Sequence, residues 1–268
     1  MKIAFWSPFH GTGTTACIMA VAGAMSQYYG RRCLLTQTHF EMNDLDEALA
    51  GKLAEQDGED YCRDMGTDAL IRYFKAGILT EDMVGSCTVS LSDRLSLLIG
   101  SRQTMCESFE SAVFTGMLLK IYRAAEKFFD VLLIDVNSGY SRQSMEMIEN
   151  ADLVAVVLRQ GRRWTGDFIK RGFPVKDKER FYLFGRYFAE SKYSLKNMRK
   201  LYGDIAGSNS GIIPFDAEYM DVIDERRVLR YFERFDMQRD SIIKGSMYHE
   251  ACICAGKMLR LAERRKEP

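Results

Sequence analysis

Short, unbroken apolar runs recur along this chain, and stretches with a helical period separate them. The first run, Lys2-Ile3-Ala4-Phe5-Trp6, has strand length and leads into a loop of small residues. From about Thr14 to Tyr29 the spacing predicts a helix with Ala16, Ala20, Gly23, Ala24 and Tyr28 on one close-packing face. Gly30 stops that helix, and Cys33–Thr36 reads as the second strand. Further strands are predicted at Leu95–Ile99, Val131–Asp135, Leu153–Leu158, Phe181–Gly185 and Gly211–Ile213, the last ended by Pro214. A long helix over Ser108–Phe128 precedes Val131. Strands that carry apolar residues on both faces need cover on both faces. The pattern therefore predicts an α/β fold: a doubly wound, mostly parallel sheet with helices on both faces. Residues 51–94 are the least regular part, with a polar loop at Asp57-Gly58-Glu59-Asp60 and a helical stretch at Asp68–Lys75. Only four prolines occur and no linker divides the chain, so one domain over residues 1–268 is expected, ending in a helix at about 240–266.

Composition narrows the function without naming it. The chain has 37 basic and 37 acidic residues. This balance gives no electrostatic argument for a nucleic-acid partner or an anionic membrane. No stretch approaches the roughly 20 apolar residues that span a bilayer, and the opening run is too short for a signal peptide. Seven cysteines, several within apolar runs, fit a reducing cytoplasmic setting with buried thiols. Cys252-Ile253-Cys254 reads as ordinary helix residues rather than half of a metal site.

The candidate chemistry lies in His10-Gly11-Thr12-Gly13-Thr14-Thr15, between the first strand and the first helix. Turn glycines let successive backbone N–H groups point at phosphate oxygens, and a helix N-terminus adds positive potential. Gly11, Thr12, Gly13, Thr14, Thr15 and Ala16 are the candidate phosphate-binding residues. Thr15 is placed to hold Mg²⁺ through its hydroxyl. Asp135-Val136-Asn137-Ser138-Gly139 follows an apolar strand. Its aspartate can hold a magnesium-bound water, and Gly139 can let a loop approach the last phosphate.

With these elements the chain resembles the ParA/MinD family of P-loop ATPases, whose members place and time machinery within bacterial cells. The likeness runs from Lys2 to about Phe235. It includes Asn150-Ala151-Asp152 ahead of a strand, Gly211-Ile212-Ile213-Pro214-Phe215-Asp216 and the Arg226–Phe232 run. It implies ATP and Mg²⁺ as cofactors, an adenine pocket at Pro214, Phe215 and Asp216, and a homodimer formed over the nucleotides.

The departures matter as much. The family's phosphate loop carries two lysines, and these fall here at Phe9 and Thr14; no lysine occurs between Lys2 and Lys52. Arg31 and Arg32 lie beyond the helix. The family's Asp-x-Asp, which helps activate water, falls at Gln37-Thr38-His39. A cation at a phosphoryl-transfer transition state is worth about 10³–10⁵ in rate, whereas ground-state binding also draws on backbone amides and Mg²⁺. The expectation is an ATP-binding protein with little or no hydrolysis and no catalytic residue to name, acting as a positioning or recruitment factor. Threonine in the signature-lysine place resembles the TadZ-like branch, which accompanies Flp/Tad pilus assembly, and so implies partners in a pilus, secretion or positioning system. The alternatives are a working ATPase in DNA partition or cell-pole placement, and a nucleotide-free scaffold.

Three further features are weighed against plain structural roles. His10 and His39 flank the site, and His39 as a catalytic base is a weak case for want of a visible partner. The helix Met247–Lys266 sets Met247, Ala251, Ala255, Met258, Leu259 and Ala262 on one face. Family members with a terminal membrane-binding helix make peripheral membrane contact, at the inner face, an alternative to packing on its own domain. The aromatic and basic segment Phe181–Tyr202 reads as a solvated helix and loop rather than a nucleic-acid surface.

Overall fold

The computed structural model describes residues 1–39, 44–50, 65–101, 108, 111–236 and 242–264. The loop expected at residues 57–60 and both ends of the helix expected at about 240–266 lie outside them, as do Cys62 and Cys106. The strands are β1 (Lys2–Trp6), β2 (Cys33–Gln37), β3 (Val89–Ser92), β4 (Leu95–Leu97), β5 (Val131–Asp135), β6 (Leu153–Arg159), β7 (Arg180–Tyr187) and β8 (Ser210–Pro214). They form one sheet in the order β3-β4-β2-β5-β1-β6-β7-β8. Neighbours are parallel except β3 and β4, an antiparallel hairpin at one edge. β1 is central, with Phe5 beside Asp135 of β5 on one side and Ala155 of β6 on the other. The doubly wound, mostly parallel sheet predicted from the apolar runs is present.

Alternation along β1 divides the core. Ile3 and Phe5 join a cluster with α1 (Thr14–Gly23), and that cluster's outer layer is α8 (Ala217–Asp224), α9 (Val228–Asp236) and α10 (Met247–Arg264). Ala4 and Trp6 face the opposite cluster. There lie α2 (Gly66–Lys75), α3 (Glu81–Ser86), α4 (Ala112–Ala125), α5 (Arg142–Asn150), α6 (Arg162–Arg171) and α7 (Leu195–Tyr202). A side-chain period of two on a strand covered on both faces produces this division.

Several local expectations shift. α1 is buried nearly all round, because α10 packs over the side turned from the sheet. Of the predicted packing face Ala20, Gly23 and Ala24 are buried, whereas Ala16 is only partly buried and Tyr28 is 43% exposed; Cys17, Ile18, Met19 and Val21 are buried as well. The helix runs on as a π-helical turn, Ala24–Tyr28. β3 was absent from the predicted elements because its Ser90 and Ser92 face solvent at the sheet edge, which removes the apolar run. α4 starts at Ala112, where the Ser111 hydroxyl caps it by accepting from the Phe114 amide at 3.2 Å.

α10 buries Met247, Ala251, Cys254, Ala255, Met258 and Ala262 against β8 and α1. Its apolar face is thus used inside the domain. Among the described residues, no helix is long and apolar enough to cross a membrane, and no group of His, Cys, Asp and Glu side chains could hold a metal by itself. Burial pushes the thiols of Cys252 and Cys254 up to about 12, so both sit as apolar core groups. Gly211 on β8 meets this helix: a Cβ there would overlap Cys254 Sγ and approach the Phe181 ring at 3.0 Å. Gly211→Ala should therefore destabilise by about 1–3 kcal/mol, read as a lower urea midpoint, and an unchanged midpoint would show that α10 gives way freely.

Candidate functional site

Four strand ends meet at the carboxyl edge of the sheet, and the loop leaving β1 lies among them. Gly11 (φ 69°) and Gly13 (φ 83°) both take left-handed backbone conformations that a β-carbon disfavours. Between them Thr12 is buried, its Oγ1 3.1 Å from Thr14 Oγ1. Thr14, in the lysine place, is thus turned inward as half of a hydroxyl pair. Gly13 supplies no side chain to cap α1, and the first turn holds no acidic residue. The first amide to bond back along the chain is that of Cys17, to the Gly13 carbonyl at 2.9 Å. The positive end of α1 is left without a countercharge from its own first turn.

Below this end lies Asp135, wholly buried at the end of β5. The Thr15 hydroxyl donates to its Oδ2 at 2.7 Å, joining the two residues read as magnesium ligands. The other carboxylate oxygen, Oδ1, makes no hydrogen bond and lies 3.4 Å from His39 Nε2. Burial alone would lower the His39 pKa. The charge of Asp135, with Asp44 and Asp46 behind it, outweighs that and holds it above its ordinary value. The partner that the sequence did not reveal for His39 is therefore Asp135. His10 is exposed at the loop tip.

Gly139 (φ 91°) is fastened over the loop from both sides. Its amide donates to the Ser7 carbonyl at 2.9 Å, and its carbonyl accepts from Trp6 Nε1 at 2.7 Å. On the other flank, Pro214 ends β8 and Phe215, 45% exposed, stacks on Phe188 with ring centroids 5.2 Å apart. Asp216 turns its carboxylate to the protein: it caps α8 by accepting from the Tyr219 amide at 2.9 Å and accepts from the Tyr231 hydroxyl at 3.1 Å. It thus shapes the turn after Phe215.

Cations are placed differently from any arrangement the sequence suggested. Arg31 pairs with Glu263 and Arg32 with Asp130, both away from the loop. Phe9, in the place of the other lysine, packs edge-on against Trp164 at 5.1 Å, and Arg159 and Arg163 stack on that indole. Arg186 on β7, by contrast, lies against Gly13 of the loop. In the sequence it belongs to the basic segment Phe181–Tyr202, and no spacing rule connects it with residues 11–15. On α7 of that segment, Lys196, Arg199 and Lys200 are exposed while Met198 is buried, as expected of a solvated helix.

No family model matches the chain, and no curated protein matches it by sequence. Solved structures do match in fold. A ParA family ATPase from Chlorobium tepidum TLS superposes with a TM-score of 0.70 at 15% identity, over 95% of this chain and 98% of that one. The cell division ATPase MinD of Pyrococcus furiosus gives 0.69 at 16%, over 97% and 98%. The septum site-determining protein MinD of Pyrococcus horikoshii, complexed with Mg-ADP, gives 0.65 at 16%, over 99% and 96%. The mostly parallel sheet, with a glycine turn between β1 and α1 beside a buried aspartate, has the P-loop NTPase fold of these proteins. The ParA and MinD ATPases above share that fold over 95–99% of this chain.

Proposed function

We propose that this protein binds ATP with Mg²⁺ at the β1–α1 loop and serves as a nucleotide-loaded positioning or recruitment factor with little or no hydrolysis. The observation that carries the reading is the Asp135 carboxylate, buried beside an uncapped helix end, with one oxygen taken by Thr15 and the other facing only His39 Nε2 at 3.4 Å. A buried anionic oxygen whose nearest partner is an imidazole at that distance is answered more fully by a closer cation or a metal-bound water. Mg²⁺ keeps several waters and takes one or two protein ligands plus phosphates, which suits Thr15 and Asp135. The bound metal would supply charge to neutralise the phosphates. The amides of Gly11 to Ala16 would hold those phosphates, Gly139 would close over the last one, and Pro214 and Phe215 would border the base with Asp216 fixing their turn. The Mg-ADP held by the Pyrococcus horikoshii protein on the same fold supports this assignment.

The loss of the lysine at Thr14 supports a recruiting role over a working ATPase, and a TadZ-like link to pilus or secretion machinery is the corresponding partner reading. A homodimer over the nucleotide faces belongs to the same proposal. The burial of the α10 apolar face supports packing in its own domain over membrane contact.

The test is thermal unfolding with ATP and Mg²⁺. At about a hundred times the Kd, a ligand specific to the folded state adds about 2.7 kcal/mol, which for a chain of this size is roughly 5–10 °C. Asp135→Asn should abolish the magnesium dependence of the rise. Absence of any shift at millimolar ATP would favour the nucleotide-free scaffold.

A further inference from the structure

We propose that Arg186 is the phosphate-gripping cation of this site, reaching the loop from the neighbouring part of the sheet in the place of the lysine that the loop lacks. The inference rests on the nucleotide reading above and adds a residue from a different element. Its ligand is the di- or triphosphate chain of the nucleotide.

Four independent features place Arg186 there. First, its side chain runs along the loop: a Cβ built on Gly13 would lie 3.4 Å from Arg186 Nε, 3.6 Å from Cγ and 3.8 Å from Cδ. The stem of the arginine therefore covers the residue that opens α1. Second, the approach is made possible by Gly185, where a Cβ would stand 3.0 Å from the Thr12 carbonyl and 2.9 Å from Cys17 Sγ. Any larger residue would push β7 from the phosphate loop.

Third, the backbone is bent to achieve this. Arg186 has φ 47°, a left-handed conformation unfavourable for a residue with a β-carbon. It falls where the β7–β8 register shifts between Phe184 and Tyr187. Irregularities of this kind re-aim a side chain, and strain held at one residue is a reason to look for a use. Fourth, the cation is uncommitted: Arg186 is exposed and forms no hydrogen bond or ion pair among the described residues. Arg31, Arg32, Arg159 and Arg163, by contrast, are engaged with carboxylates or with Trp164.

An arginine suits the task. Its planar fork can donate two parallel hydrogen bonds to phosphate oxygens, and it remains charged at any working pH.

The experiment is titration calorimetry of the full chain with ATP, ADP and AMP in the presence of Mg²⁺, comparing wild type, Arg186→Gly and Arg186→Lys. Glycine relieves the positive φ, so the variant should unfold at or above the wild-type temperature, and lost binding cannot be ascribed to lost fold. Arg186→Gly is expected to weaken ATP and ADP about 10- to 100-fold, the range of a charge-assisted contact, and AMP much less. Arg186→Lys should recover part of the loss, because the charge remains without the fork. Wild-type ATP affinity in Arg186→Gly would overturn the inference alone. An equal loss for ATP, ADP and AMP would also overturn it, by showing an effect on the base or the loop. Failure of the wild type to bind any nucleotide would remove the underlying reading and this inference with it.

Discussion

Phosphate release from saturating ATP should stay about 10³-fold or more below that of a lysine-bearing protein of the same fold. Two losses combine. The loop carries Thr14 instead of a lysine, and the side chain is turned inward to Thr12. A cation at that transition state is worth about 10³–10⁵. The water-activating carboxylates are also missing, and a positioned general base contributes about 10²–10⁴. Their places hold Gln37, Thr38 and His39. Gln37 and Thr38 are buried, and the Thr38 hydroxyl accepts from the Asn137 amide at 3.2 Å. His39 is turned to Asp135. Even with Arg186 on the phosphates, binding would be restored without the base. Phosphate release is to be measured beside Gly13→Asp, which places a β-carbon at φ 83° and a carboxylate in the loop. Fast release in the wild type that this substitution abolishes would show that other groups perform both tasks.

Trp6→Ala should destabilise the protein by about 3–5 kcal/mol. Trp6 is wholly buried at the end of β1, with Tyr140 and Phe173 edge-on to its indole at 5.5 and 5.9 Å. Removing the ring opens a cavity between β1 and the helices behind it. The same ring holds the site, because its N–H donates to the Gly139 carbonyl. Trp6→Phe separates the two effects. It keeps most of the packing but drops the bond, which should destabilise by about 1–3 kcal/mol through the unpaired carbonyl. It should also reduce the stabilisation gained from ATP, since the Gly139 loop loses one of its two fastenings. Urea unfolding with and without ATP reads both quantities. A Phe variant with the full wild-type response to ATP would show that the hydrogen bond from the Gly139 amide to the Ser7 carbonyl holds the loop unaided.

The apolar runs alone determined much of this molecule. Runs such as Cys33–Leu35 and Val131–Ile134, apolar on both faces, leave a covered parallel sheet as the natural arrangement, and such a sheet is found. The loop from His10 to Thr15 and the aspartate at 135 were also legible, because their chemistry resides in residue type and local spacing. The Thr15 hydroxyl donates to the Asp135 carboxylate across 120 positions of sequence. β3 was not legible, since an edge strand facing solvent has no reason to keep an apolar pattern. The all-round burial of α1 was not legible either, because α10, more than 220 residues further on, makes its outer face interior.

Tertiary structure alone decided three features of the site. His39 meets Asp135 because β2 and β5 are neighbours in the sheet. Asp216 serves as a helix cap only once Tyr219 and Tyr231 are brought to it. Arg186 reaches Gly13 through a bend in β7 and the absence of a side chain at Gly185, neither of which has a signature in local sequence. The reason is common to all three. Periodicity and turn chemistry act over a few residues, whereas a charge placed across the sheet depends on strand order, which is set by the packing of the whole chain.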